Sequence, residues 1–258
     1  MIEINQLSKQ YGVGENPIRA VGNVNLKIRQ GDFVSLVGPS GCGKSTILNM
    51  FAGFSLPTGG EIRVNGSPVQ GRITPDLGYI FQKDTLLPWY RVRDNVGLGL
   101  EFQGKGRQEI RKRVDELLEL GHLTNFANSY PHQLSGGMRR RVALLMSLAT
   151  DPRILLLDEP FGALDTHTRT HLHKELSEIC RKLNQTVVLV THDLDEAVTL
   201  SNRVVVLSRP PSFVLHDEQI SLPRERDVFS IRETEAFSNH YKNIWAVLGK
   251  EFREGTHH

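Results

Sequence analysis

Phe33-Val34-Ser35-Leu36-Val37-Gly38-Pro39-Ser40-Gly41-Cys42-Gly43-Lys44-Ser45 is the stretch on which the fold turns. Its first five residues are β-prone and predict a strand, and a helix can begin at Lys44 and run through Ile47, Leu48 and Phe51. Between strand and helix lies Gly, four residues, Gly-Lys-Ser. Glycines let the backbone bend until successive N–H groups point inward, and the following helix adds its positive N-terminal end, so this loop binds a polyphosphate. Lys44 would reach the β- and γ-phosphates and the Ser45 hydroxyl would ligate Mg²⁺. Cys42 is then a loop residue rather than a nucleophile, since no histidine base pairs with it in sequence.

Working outward, Ile154–Leu157, Val187–Val190 and Val204–Leu207 are apolar on both alternating faces, as strands buried in a parallel sheet are. A helical stripe of Leu172, Leu176, Ile179, Cys180 and Leu183 lies between the first two, which predicts an α/β fold with its ligand site at the carboxyl ends of the strands. Short segments at Ile2–Leu7, Val24–Ile28, Phe33–Val37, Glu61–Val64 and Gly78–Phe81, broken by Gly and Pro turns, predict an antiparallel edge beside the parallel sheet. From about Asp94 to Thr150 helices dominate, including Glu109–Leu120, and an inserted helical subdomain is expected there. Residues Arg209–Asp227 read as a loop-rich passage. A last helix is expected from Ile231 to Phe252, packing Phe237, Tyr241, Ile244, Trp245, Leu248 and Phe252 on the chain's own core.

Ile154-Leu155-Leu156-Leu157-Asp158-Glu159 places two acids at the end of a buried strand, which is costly unless a cation is near. Asp158 would hold Mg²⁺ through its water shell, and Glu159 could orient and deprotonate an attacking water.

The 258 residues carry 31 Lys+Arg against 29 Asp+Glu, a net charge of +2, and 39% are apolar. That excludes a disordered chain and gives no electrostatic case for nucleic acid as a partner. Two cysteines, Cys42 and Cys180, make neither a disulfide framework nor a four-cysteine zinc site, so a reducing compartment is expected. The start at Met1–Gln6 lacks the basic start and apolar stretch of a signal peptide, and no apolar run approaches the ~20 residues that span a bilayer. The last four residues, Gly255-Thr256-His257-His258, are set aside as an appended remnant. His167, His171 and His173 include an i, i+4 pair but read as an exposed helix face. Arg139-Arg140-Arg141 reads as a solvated or subunit-facing helix edge, its side chains pointing in three directions.

Leu134-Ser135-Gly136-Gly137-Met138, followed by a helix over Arg139–Leu148, resembles the signature of ABC-type ATPases. The resemblance runs from about Ile2 to Leu222 in the family's motif order: phosphate loop, Gln82 after a strand, signature, Asp158-Glu159, Ala163-Leu164-Asp165, then His192. It implies a P-loop NTPase core (1–93 and 151–222) with an antiparallel β edge, an inserted helical signature subdomain (94–150) and a helical tail (223–258). It implies that Gly38, Pro39, Ser40, Gly41, Cys42, Gly43, Lys44, Ser45 and Thr46 hold ATP, and that Ser135, Gly136 and Gly137 complete the pocket of a second subunit in a head-to-tail dimer. Asp165 would then lie at the subunit boundary, Gln82 would reach the metal or attacking water, His192 would contact the γ-phosphate, and Tyr11 would stack on adenine. An aromatic beside a glycine turn is equally a packing residue. The chain departs from the family after the signature, where a Gln before the Arg and then small residues are usual and this chain has Arg140-Arg141-Val142-Ala143-Leu144-Leu145-Met146.

Two classes compete: an ATPase that drives a membrane transporter, and a soluble ABC ATPase acting on nucleic acid or ribosomes. The soluble classes carry a coiled-coil insertion, zinc-binding cysteines or two fused copies, none of which is visible here. Leu86-Leu87-Pro88-Trp89-Tyr90-Arg91-Val92-Arg93-Asp94-Asn95-Val96 and Ser208-Arg209-Pro210-Pro211 look like the corresponding stretches of nitrate, sulfonate and taurine importers. The resemblance therefore implies a subunit peripheral on the cytoplasmic face of the membrane, working with a second ATPase copy, integral permease subunits and, indirectly, a solute-binding protein. Trp89 would line the groove that receives a short helix of the permease.

Overall fold

Strand character concentrates where the sequence is rich in Val, Ile and Leu, and the described residues of the computed structural model, 1–12, 17–72, 76–83, 85–162 and 164–254, follow that bias. In chain order they form β1 (Ile2–Tyr11), β2 (Ile18–Ile28), β3 (Phe33–Val37), α1 (Lys44–Phe51), β4 (Gly59–Val64), β5 (Ser67–Pro68), β6 (Leu77–Ile80), α2 (Val92–Phe102), α3 (Arg107–Leu120), α4 (Gly136–Ala149), β7 (Ile154–Asp158), α5 (Thr166–Lys182), β8 (Thr186–Val190), α6 (Leu194–Leu200), β9 (Arg203–Leu207), β10 (Val214–Gln219) and α7 (Glu235–Glu254). The chain divides into two compact units, Met1–Thr74 with Gln185–His258, and Pro75–Asn184.

In the first unit β3 lies parallel between β8 and β9, pairing Val34 with Val188 on one side and with Arg203 on the other. All three strands are almost wholly buried, which is why their sequences are continuous apolar runs rather than alternations. A separate antiparallel sheet runs β2-β1-β4-β5, and β2 shows the alternating burial of a strand with one face in water. Helix α7 packs Phe237, Ile244 and Leu248 with Val198 of α6 and Val204 and Val206 of β9. Trp245 and Phe252, expected in the same stripe, are instead 50% and 43% exposed and contact each other on the outer side.

The second unit pairs β6 with β7 in parallel and gathers α2, α3, α4 and α5. Close helix approach is set by glycine: a Cβ on Gly97 of α2 would lie 3.0 Å from Ile110, and one on Gly121 would lie 2.8 Å from Leu145 of α4. His173 is fully buried against Phe161, unlike the exposed helix face expected of it, whereas His167 is exposed. The three arginines do diverge: Arg139 donates to the Leu134 carbonyl, Arg141 pairs with Glu175 at 2.8 Å, and Arg140 lines a small apolar cavity with Leu144 and Leu172.

The α/β core, the antiparallel edge of β1, β2 and β4 and the helical insertion are as expected, but two segments assigned to that edge are parallel strands: β3 (Phe33–Val37) runs parallel to β8 and β9, and β6 (Leu77–Ile80), expected over Gly78–Phe81, runs parallel to β7. Three further local readings are corrected. The passage Arg209–Asp227 contains β10, antiparallel to β9; it is a polar edge strand whose register comes from its neighbour, with Asp217 pairing to Arg203, so it has no apolar alternation of its own. The last helix starts at Glu235 rather than Ile231, because the Thr234 hydroxyl accepts from the Phe237 amide and breaks the run after a short 3₁₀ turn. The signature helix starts at Gly136, three residues early, capped by Ser135.

Candidate functional site

The phosphate loop begins where β3 ends, and α1 opens at Lys44 as the strand-loop-helix pattern requires. Its three glycines serve different ends. A Cβ on Gly38 would meet the Cys42 sulfur and the Leu207 carbonyl at 2.8 Å each, and one on Gly43 would sit 3.0 Å from the Ala20 carbonyl, so both let the loop press against its neighbours. Gly41 has φ +76° with open space beyond it, so only its backbone conformation demands glycine, and the free side is where a ligand can approach. The buried Lys44 amine donates to the carbonyls of Gly38 (2.8 Å) and Pro39 (3.0 Å), a cation already drawn across the loop mouth. Cys42 is buried, and burial pushes its thiol pKa up, the reverse of an activated nucleophile. Ser45 is exposed at the start of α1, and Thr46 is half-buried. Behind the loop, Ser212 donates to the Ala20 carbonyl and Gly22 donates to the Ser212 carbonyl, which braces the wall against which Gly43 rests.

In the same unit His192 is exposed just past β8, on a turn that is firmly held: the Thr191 hydroxyl donates to buried Glu196 at 2.6 Å and accepts from the Asp193 amide at 3.0 Å. Asp193 in turn caps α6. Tyr11 ends β1, 45% exposed, with the Lys9 ammonium 5.1 Å from its ring centre. Val13–Asn16 beyond it lie outside the described residues, as does Ala163.

The other candidates belong to the second unit. Asp158 ends β7 and Glu159 follows it. Asp158 accepts from the Tyr79 hydroxyl at 3.3 Å, and burial together with the adjacent carboxylate pushes that phenol's pKa up, so it remains a donor. Glu159 has φ +43°, a left-handed conformation that non-glycine residues adopt at a cost. This turns its side chain out of the strand direction, and the Gln82 amide donates to its carboxylate at 3.0 Å. Gln82, expected at the metal or the water, thus meets Glu159 directly.

Ser135 caps α4 by accepting from Met138 N at 3.3 Å, leaving Ser135 and Gly136 exposed at the helix tip. A Cβ on Gly137 would collide with Thr168 at 2.5 Å, so α4 and α5 approach at this point. Asp165 caps α5, and the Thr168 amide that it accepts from at 3.0 Å holds its carboxyl below the usual range. Sequence reasoning did not find Tyr79, Thr191 or Glu196; only their spatial neighbours mark them. The Ser45 hydroxyl in the first unit and the Asp158 carboxylate in the second are each of the oxygen type that a hard divalent cation takes, and the glycine cradle suits a polyphosphate.

The ABC transporter family profile matches residues 21–162. The chain is 41% identical to an uncharacterized ABC transporter ATP-binding protein of Methanocaldococcus jannaschii over 97% of this chain and 92% of that protein. It is 39% identical to the nitrate import ATP-binding protein of Synechocystis sp. over 98% and 97%, and 39% identical to the aliphatic sulfonates import ATP-binding protein of Bacillus cereus over 90% and 92%. Among solved structures it is similar, with a TM-score of 0.75 and 36% identity over 86% of this chain and all of the other, to a dimeric ATP-binding cassette in a post-hydrolysis state bound to ADP and Pi. With a P-loop at the end of β3, an acidic pair at the end of β7 and a capped signature helix, the chain belongs to the ABC transporter family and is an ABC-type ATPase.

Proposed function

We propose that this subunit energises an importer of small anions such as nitrate, sulfonate, taurine or bicarbonate, from the cytoplasmic face of the membrane. The observation that carries the reading is Trp89, 68% exposed on the turn before α2, in a chain whose relatives include nitrate and sulfonate import proteins over nearly their whole length. A large aromatic displayed on an ordered turn is an anchor for a partner rather than a core residue. Among the described residues no helix is long and apolar enough to cross a membrane.

In the proposed cycle, residues 38–46 of one copy grip the phosphates of ATP, and Ser135–Gly137 of a second copy meet the same triphosphate from the other side; that the similar ATP-binding cassette is dimeric supports a pair of copies. Ser45, Asp158 and Gln82 would hold Mg²⁺, which supplies charge neutralisation of the phosphates. Glu159 takes a proton from the water that attacks the γ-phosphorus, the bond to the bridging oxygen of ADP breaks, and ADP and phosphate leave. His192 holds the γ-phosphate in line, and Asp165 sits at the subunit boundary. Closing and reopening of the pair drives the permease through the Trp89 turn.

Two experiments test this. The chain should co-purify with polytopic membrane subunits; co-purification with nucleic acid or ribosomes instead would favour a soluble ABC ATPase. The Glu159→Gln variant, given ATP, should double its mass in light scattering, and a monomer under those conditions would remove the sandwich. The transported solute is read from the ligand of the solute-binding protein that partners the complex.

A further inference from the structure

The turn that displays Trp89 is closed by a backbone bond from the Tyr90 amide to the Leu87 carbonyl at 3.1 Å and is further tied by the side chain of Asn95. Asn95, in the first turn of α2, is fully buried, yet every polar atom it has is used. Its Oδ1 accepts from the Leu87 amide at 2.8 Å, and its Nδ2 faces the carbonyls of Leu87 (3.2 Å), Tyr90 (3.1 Å) and Arg91 (3.1 Å). One donor amine with two protons shared among three carbonyls, opposite one acceptor taking an N–H, closes a ring through the backbone of Leu87–Arg91. The same segment is stitched at its far end: Val92 and Arg93 donate to the carbonyls of Ser129 and Ala127, and Arg91 donates to Asp94. Trp89 is the middle residue of the Leu87–Arg91 segment and is 68% exposed, so burial of its indole is not what fixes the turn.

We infer that Asn95 is a positioning residue: it preorganises the Leu87–Arg91 turn so that Trp89 is presented to the membrane subunit in its docking shape. The inference rests on the reading of Trp89 as the permease contact. Preorganisation lowers the ordering cost of association, so its loss weakens docking without altering what the docked complex does. Aspartate at 95 keeps the shape but turns a carboxylate oxygen toward three carbonyls, which repel it.

In the intact complex with the membrane subunits that co-purify with the chain, Asn95→Asp should raise the permease concentration for half-maximal ATPase stimulation about tenfold, while the rate at saturation stays within twofold. A merely structural role would lower the saturated rate and the melting temperature together. Hydrogen exchange gives the second readout: the Leu87 amide should be protected like α2 in the native chain and should exchange at least tenfold faster in the variant, with α3 unchanged. An unaltered half-saturation in folded Asn95→Asp, or a native Leu87 amide that exchanges at open-loop rates, overturns the clamp. If the variant does not fold, the native exchange rate alone decides. Trp89→Ala separates the two ideas: if it leaves half-saturation unchanged, the docking reading itself fails, whereas a rise for Trp89→Ala with none for Asn95→Asp removes only the clamp.

Discussion

The loop after β3 and the acidic end of β7 both close a buried parallel strand with a left-handed residue, yet they do so in opposite ways. At the first, the left-handed positions are glycines, Gly41 at φ +76° and Gly43 at φ +95°, and the backbone itself is the binding surface. At the second, the left-handed residue is Glu159 at φ +43°, a charged side chain kept in a conformation that glycine would take more easily. One turn is shaped for affinity; the other keeps strain in order to aim a carboxylate.

This contrast can be tested from its largest consequence downward. Glu159→Gln should reduce steady-state ATP hydrolysis by about 100-fold or more, the usual range for a general base, while nucleotide binding measured by titration calorimetry persists. Hydrolysis near the native rate would transfer the base role elsewhere. Lys44→Ala should weaken nucleotide binding in the same calorimetric assay by about 100-fold, because a buried cation now bonded to Gly38 and Pro39 carbonyls is lost from the loop mouth. Gly41→Ala and Glu159→Gly form the smaller, signed pair. The first forces an alanine into φ +76° with nothing to collide with, and should cost about 1 kcal/mol of stability through backbone strain alone. The second relieves strain and should gain up to about 1 kcal/mol, a rise of ~2–4 °C in calorimetric melting for a chain of this size, although hydrolysis is lost. A fall in melting temperature for Glu159→Gly would mean that the Gln82 contact outweighs the backbone cost.

How much was legible in the sequence follows from how local each feature is. The phosphate loop, its strand and α1 are contiguous, and glycine spacing plus one lysine announce them. Ser135 and Asp165 were singled out as candidate site residues but not as caps whose side chains already serve Met138 and Thr168. The contact at Asp158 was not legible, because a tertiary neighbour makes it, whereas those beside His192 and Trp89 are local, spanning five and eight positions, and were missed because nothing in the sequence marks the helix residues that make them. Tyr79 stands 79 positions from Asp158, and the buried roles of Glu196 and Asn95 look in sequence like ordinary helix polar residues. The polar strand β10 was hidden for a related reason: its partner, not its own pattern, makes it a strand.

The chain has two tryptophans, and they fall one in each compact unit, Trp89 in the helical one and Trp245 on the outer side of α7, both substantially in water. A single Trp-to-Phe exchange at either position therefore leaves one tryptophan in the whole chain, in the other unit, so the emission of the phosphate-loop unit and that of the helical unit can each be followed in its own variant without attaching a dye.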